Sequence, residues 1–192
     1  MSYKFGTWTI NTSDKITSEE AISEHDQRTG AFVRLLATAE FSMKQIICTL
    51  LGVDLPTGSL LMSKMSAGQT ADLFRDVAES RITDDLKIAA TSAAKSFMNL
   101  NGFRNELAHG LHMFDGERAK IGKTAADLKK FFGKETDLSE EAFGKRISDL
   151  YEVLHKLLAI SLKLAGDTRN LEDIVAMASE ARRQKDHSHS NA

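Results

Sequence analysis

The chain has 192 residues, 42% of them hydrophobic and 27% charged, with a single proline and a formal net charge of −2. That length and composition suit one domain with a normal soluble core, or one domain with an appendage. The near-neutral charge excludes the global basic field that announces many nucleic-acid binders, and the lone Cys48 excludes an intrachain disulfide and a thiolate zinc cluster. No run reaches about 18 consecutive apolar residues, and the first residues hold no apolar stretch of signal-peptide type. A soluble, cytoplasmic protein without membrane segments is therefore expected.

Residues 1–16 read as an N-terminal extension in which Phe5, Trp8 and Ile10 alternate with polar residues, either a short extended segment or a frayed end. Thr17-Ser18-Glu19-Glu20 has the form of a capping box, with Thr17 as N-cap and Glu20 three residues on. Gly30 predicts a kink or a restart of the helix that follows. From there the apolar stripe Phe32, Leu36, Ala39, Met43, Ile46, Leu50 keeps the helical period. Gly52 suits the residue just past the helix end, and Pro56 prevents its continuation. Residues 53–67 read as a loop or a ragged short helix with Leu60, Leu61, Met62 and Met65. A helix is predicted over 69–79, burying Leu73, Phe74 and Val77. Thr83 or Asp84 then caps a long helix whose stripe is Leu86, Ala90, Ala93, Phe97, Leu100, Leu107, Leu111.

Residues 111–137 are the least regular. Asp115-Gly116 is a turn signal suited to joining two short strands, and Thr124 suits the cap of a short helix running to Phe132 and closed by Gly133. Ser139 is placed to cap the next helix, with Leu138 and Phe143 as a hydrophobic staple. That helix carries the stripe Phe143, Ile147, Leu150, Leu154, Leu157, Leu164, supported by Tyr151 and Leu158. A last amphipathic helix starts at Thr168 or Asn170 and buries Leu171, Ile174, Val175 and Ala178. From Asp186 the chain reads as a disordered tail. The expected fold is all-α: an up-and-down bundle of four main helices over 17–166, with an irregular insertion, and a C-terminal helix and tail over 167–192.

The least ordinary residues are Arg104-Asn105-Glu106-Leu107-Ala108-His109-Gly110. They place a cation, an amide and an imidazole within about one and a half helical turns. Arg104 fills the position missing from the core-facing stripe, where an Arg is costly unless it is paired or faces a wet cleft. Its plain alternative is a buried structural ion pair. Asn105 and His109 are four apart and share a face, roughly opposite the stripe. Arg104 and His109 are separated by about 140° on a straight helix. Either Gly110 frees His109 to swing, or two chains supply the groups of one site.

This heptapeptide resembles the signature of the HEPN superfamily, the higher eukaryote and prokaryote nucleotide-binding domains: an Arg, a polar residue, a short spacer and a His near a helix end. The resemblance covers roughly residues 17–165. It implies a small helical domain that dimerises so that two Arg/His pairs line one cleft, and a metal-independent endoribonuclease of toxin or defence type. RNA, a second copy of the chain, and an antitoxin or regulatory protein are the partners implied, with no cofactor and no metal. Arg104, Asn105 and His109 are the catalytic residues it points to. In such an enzyme the ribose 2′-hydroxyl attacks its own phosphate. An imidazole, with a reference pKa of about 6.5, serves as base or acid near neutral pH, and a guanidinium offers a planar fork to the phosphate. Lys120, Lys123, Lys129 and Lys130, with Arg118 and Lys134, read either as an RNA-contacting flank or as a solvated basic loop.

Other readings stay open. HEPN relatives with degenerate motifs bind nucleotides or proteins without catalysis. Glu106/His109 and Glu152/His155 are two Glu-x-x-His steps of the kind that ligate di-metal centres in helical bundles, with Glu40 and Glu79 as further carboxylates. His109, His112 and Asp115 form a weaker mononuclear set, and His187 and His189 lie in the expected tail. Cys48 reads as a buried inert thiol.

Overall fold

The computed structural model describes residues 2–5, 8–11, 19–109, 111–115, 118–122 and 135–189, with side chains for 22–109, 136–181 and 183. The fold class is all-α, a helical bundle, as its helical apolar periods predict. Among the described residues the order is β1 (Ser2–Phe5), β2 (Trp8–Asn11), α1 (Glu19–Leu51), α2 (Leu55–Leu61), α3 (Ala67–Arg81), α4 (Asp84–His109), β3 (Leu111–Asp115), β4 (Arg118–Gly122), β5 (Glu135–Asp137), α5 (Glu140–Leu164) and α6 (Leu171–His189). The four expected main helices are α1, α3, α4 and α5.

The chain divides into two units. One comprises Met1–Phe32 and Arg104–Lys145, the other Val33–Phe103 and Arg146–Ala192. The second unit holds most of the core. Its fully buried large side chains include Met43, Ile46, Phe74, Phe97, Leu150 and Ile160. The α1 stripe is buried as expected from Leu36 to Ile46, while Leu50 is only half-buried. On α5 the buried line runs Leu150, Val153, Leu157, Ile160, so it drifts off the expected Leu154, and Leu158 is exposed. The drift follows from 3.6 residues per turn, which alternates steps of three and four.

Local chemistry sets the helix ends. Gly52, at φ +66°, closes α1: its N–H reaches Thr49 O at 3.2 Å and the Val53 N–H reaches Cys48 O at 3.0 Å. That is the Schellman arrangement, which favours glycine. Gly166 does the same for α5. Asp54 caps α2 by accepting from the Thr57 N–H, and Pro56 sits in the first turn of that helix rather than in a loop. α3 starts earlier than expected because Ser66 and Gln69 form a reciprocal capping box. α4 opens on Asp84 in the left-handed region (φ +56°), which Asp tolerates better than most residues. Asn170 caps α6 through the Asp173 N–H at 2.8 Å.

Three expectations need correction. The helix does not restart at Gly30, because α1 is one helix of 33 residues; a single glycine costs a helix only about 1 kcal/mol, and Phe32, Leu36 and Ala39 are all buried beyond it. The stretch from Asp186, expected as a tail, continues α6 through His189. Between Gly122 and α5 the chain forms a third strand, β5. The Thr17 cap and the Thr124–Phe132 helix with Gly133 lie outside the described residues.

The first unit has a smaller core of its own. Phe32 and His25 of α1 each meet Phe143 of α5 edge-on, at 6.2 and 6.1 Å between ring centroids. Leu138 and Phe143 are both buried, as the staple requires, and the Ser139 hydroxyl accepts from the Ala142 N–H at 3.3 Å. β1 and β2 pair antiparallel, and β3–β4–β5 form an antiparallel sheet in that order. β3 and β4 are thus paired, as the Asp115-Gly116 signal predicts; Asp115 ends β3, and Gly116 lies outside the described residues.

Candidate functional site

α4 delivers the motif to its own C-terminal turn. The helix is held by Ala90, Ala93, Phe97, Leu100, Phe103 and Leu107, all buried. Phe103 takes the core position that the spacing assigns to Arg104, and the Arg104 side chain is exposed. From Leu100 a step of three or of four keeps the helical period, and the larger apolar residue wins the core. Arg104 is therefore not a buried structural ion pair.

Arg104, Asn105 and His109 are all exposed on this turn. Arg104 Nη1 donates to Asn105 Oδ1 at 3.1 Å, so the amide steadies the guanidinium. Asn105 and His109 share the i, i+4 face expected of them. Glu106, by contrast, is half-buried, and its Oε2 accepts a hydrogen bond from Thr136 Oγ1 of β5 at 2.8 Å. That bond spans 30 residues, and no sequence signal points to it. Gly110 lies outside the described residues.

Of the basic flank, Lys120 lies on β4, in register with Met113 and Asp137; its side chain, and all of Lys123, Lys129 and Lys130, lie outside the described residues. Arg118 pairs in register with Asp115.

The alternative chemistries find other arrangements. Glu152 accepts from Lys156 Nζ at 2.7 Å, Glu40 from Lys44 at 2.7 Å, and His155 Nδ1 shares a hydrogen bond with Ser179 Oγ at 3.0 Å. Among the described residues no group of three or more His, Cys, Asp or Glu is arranged to hold a metal ion. Cys48 is 4% exposed, and burial, aided by the Asp54 carboxylate, pushes its thiol pKa up. It stays protonated at neutral pH, which is the state of an inert thiol. An open groove of about 620 Å³ in the second unit is lined by Asp85, Ile88, Ser92, Lys156, Asn170 and Glu172 among others, and holds none of the motif residues.

No single helix among the described residues is long and apolar enough to cross a membrane. No family model, curated protein or solved structure matches the chain.

Proposed function

We propose that the protein is a metal-independent endoribonuclease of HEPN type, acting in the cytoplasm as a homodimer. The observation that carries this reading is the exposed last turn of α4, where Arg104, Asn105 and His109 stand off the core.

In the proposed reaction the 2′-oxygen attacks the adjacent phosphorus and its proton passes to a base. The bond from phosphorus to the 5′-oxygen breaks, and an acid returns a proton to that oxygen. The products are a 2′,3′-cyclic phosphate and a 5′-hydroxyl, with no water consumed. Arg104 meets the charge that develops on the phosphorane, and Asn105, already bonded to Arg104, fixes the angle of its fork. His109 serves as base or acid. One imidazole does not fill both roles in a single step, so the second is assigned to His109 of a second copy. The low overall charge of −2 leaves RNA binding to local groups, and Lys120, Lys123, Lys129 and Lys130 are proposed to supply them. A toxin or defence role, with an antitoxin or regulator as partner, follows from the same resemblance.

End-group analysis of RNA treated with the purified protein tests this. The reading predicts 2′,3′-cyclic phosphate and 5′-hydroxyl ends, and a loss of about 100-fold or more in rate for Arg104→Ala and for His109→Ala. Equal cleavage by wild type and both variants contradicts the site. A folded dimer that binds nucleotides or proteins and leaves RNA intact is the non-catalytic module instead.

A further inference from the structure

Glu106 lies two residues after Arg104 and three before His109, yet the proposed chemistry gives it no part. Its carboxylate is half-buried and accepts from the Thr136 hydroxyl at 2.8 Å. A hydrogen bond to an ionised acceptor is stronger than a neutral one, and more so away from water. Thr136 is the middle residue of β5. In register it faces Ile121 of β4, which faces His112 of β3. The three-stranded sheet is thus joined to the last turn of α4 twice: β3 follows α4 almost directly in the chain, and β5 is tied back by Thr136. Helix ends fray readily, because their last carbonyls lack intrahelical partners. A turn bonded to a sheet is held against that.

We propose that Glu106 is a positioning residue of the RNA-cleaving site. Its bond to Thr136 fixes the last turn of α4, and with it the directions of Arg104 and His109. This rests on the ribonuclease reading above. Misplacement of reacting groups lowers the chemical step more than binding, so the signature is a fall in kcat with KM kept.

The test compares RNA cleavage by wild type, Glu106→Ala, Glu106→Gln, Thr136→Val and the double variant Glu106→Ala/Thr136→Val, with amide hydrogen exchange measured over β5 and the end of α4. Glu106→Ala and Thr136→Val should each lower kcat by about tenfold to 100-fold with KM nearly unchanged. The double variant should be no worse than Glu106→Ala alone, because Thr136→Val removes a bond that Glu106→Ala has already broken. Glu106→Gln should keep most of kcat, since its amide oxygen still accepts from Thr136. Exchange in β5 should accelerate in Glu106→Ala and not in Glu106→Gln. Wild-type kcat in Glu106→Ala, additive losses in the double variant, or a Gln variant as impaired as Ala each overturn the proposal. A wild type that does not cleave RNA overturns the ribonuclease reading itself. Unchanged exchange in Glu106→Ala then removes the link to the sheet as well, whereas faster exchange preserves the link as a structural one.

Discussion

α4 changes character at Arg104. Up to Phe103 its buried residues recur at helical spacing, and packing accounts for them. After Phe103 only Leu107 is buried; Arg104, Asn105 and His109 are exposed, and Glu106 reaches out to another element. The two stretches share one backbone helix but answer to different constraints. In the first, volume and apolar area decide the residue. In the second, the core decides little, and donors, acceptors and charge carry the information. Polar groups that packing does not require are where function is to be sought.

Substitutions sharpen that contrast. The largest effect on stability is expected from Phe97→Ala, since Phe97 is 0% exposed. It should lower the unfolding free energy by about 3–5 kcal/mol in a denaturant titration. Next is Gly58→Ala: an added Cβ would lie 2.2 Å from Cys48 Sγ, far inside contact distance. A loss of about 1–3 kcal/mol is expected, and Cys48→Ala in the same chain should recover part of it. Thr70→Val should act in the other direction. The Thr70 hydroxyl is fully buried without a hydrogen-bond partner, and an apolar group of the same shape removes that desolvation cost, raising stability by about 1 kcal/mol. Arg104→Ala, on the far side of the divide, should change stability by no more than about 0.5 kcal/mol. A loss as large as that of Phe97→Ala would erase the contrast.

The smallest effect concerns pH. Hydrogen bonds from the Arg169 side chain, then from its backbone N–H, hold the Asp167 carboxyl down to about 2. An unfolded Asp titrates near 3.9. The folded value is the lower one, so this contribution is present above about pH 4 and is lost as pH falls toward about 2. Thermal melts across that range should show a steeper decline for wild type than for Asp167→Asn. Equal declines would mean that the Asp167–Arg169 pair does not outlast solvent screening.

The sequence was most readable where a structure depends on neighbours in the chain. Gly52, Ser139 and Asn170 end or start helices by local hydrogen bonds, and β3 and β4 pair as the Asp115-Gly116 signal predicts. The Ser66/Gln69 capping box is a local signal of the same kind, in its Ser-x-x-Gln spacing, but the helix was expected only from residue 69. The assignment of Arg104 to the core failed where periodicity alone is ambiguous: 100–103–107 and 100–104–107 both fit a helix, and Phe against Arg decides between them. β5 was not legible, because Glu135-Thr136-Asp137 is polar and only three residues long. Its pairing is set by β4, not by its own propensity. The Glu106–Thr136 bond was hidden for the same reason, as it joins distant segments. Asn105 and His109 were placed off the core by their spacing and are exposed there; among the three it was the exposure of Arg104 that periodicity did not give.

The most direct test of the central claim is cleavage of total and structured RNA by purified wild type and His109→Ala, with EDTA present throughout. Cleavage by wild type in EDTA that disappears in His109→Ala is the predicted result, with both proteins melting at similar temperatures. Cleavage that EDTA stops, or that His109→Ala retains, would contradict a metal-independent site at the end of α4.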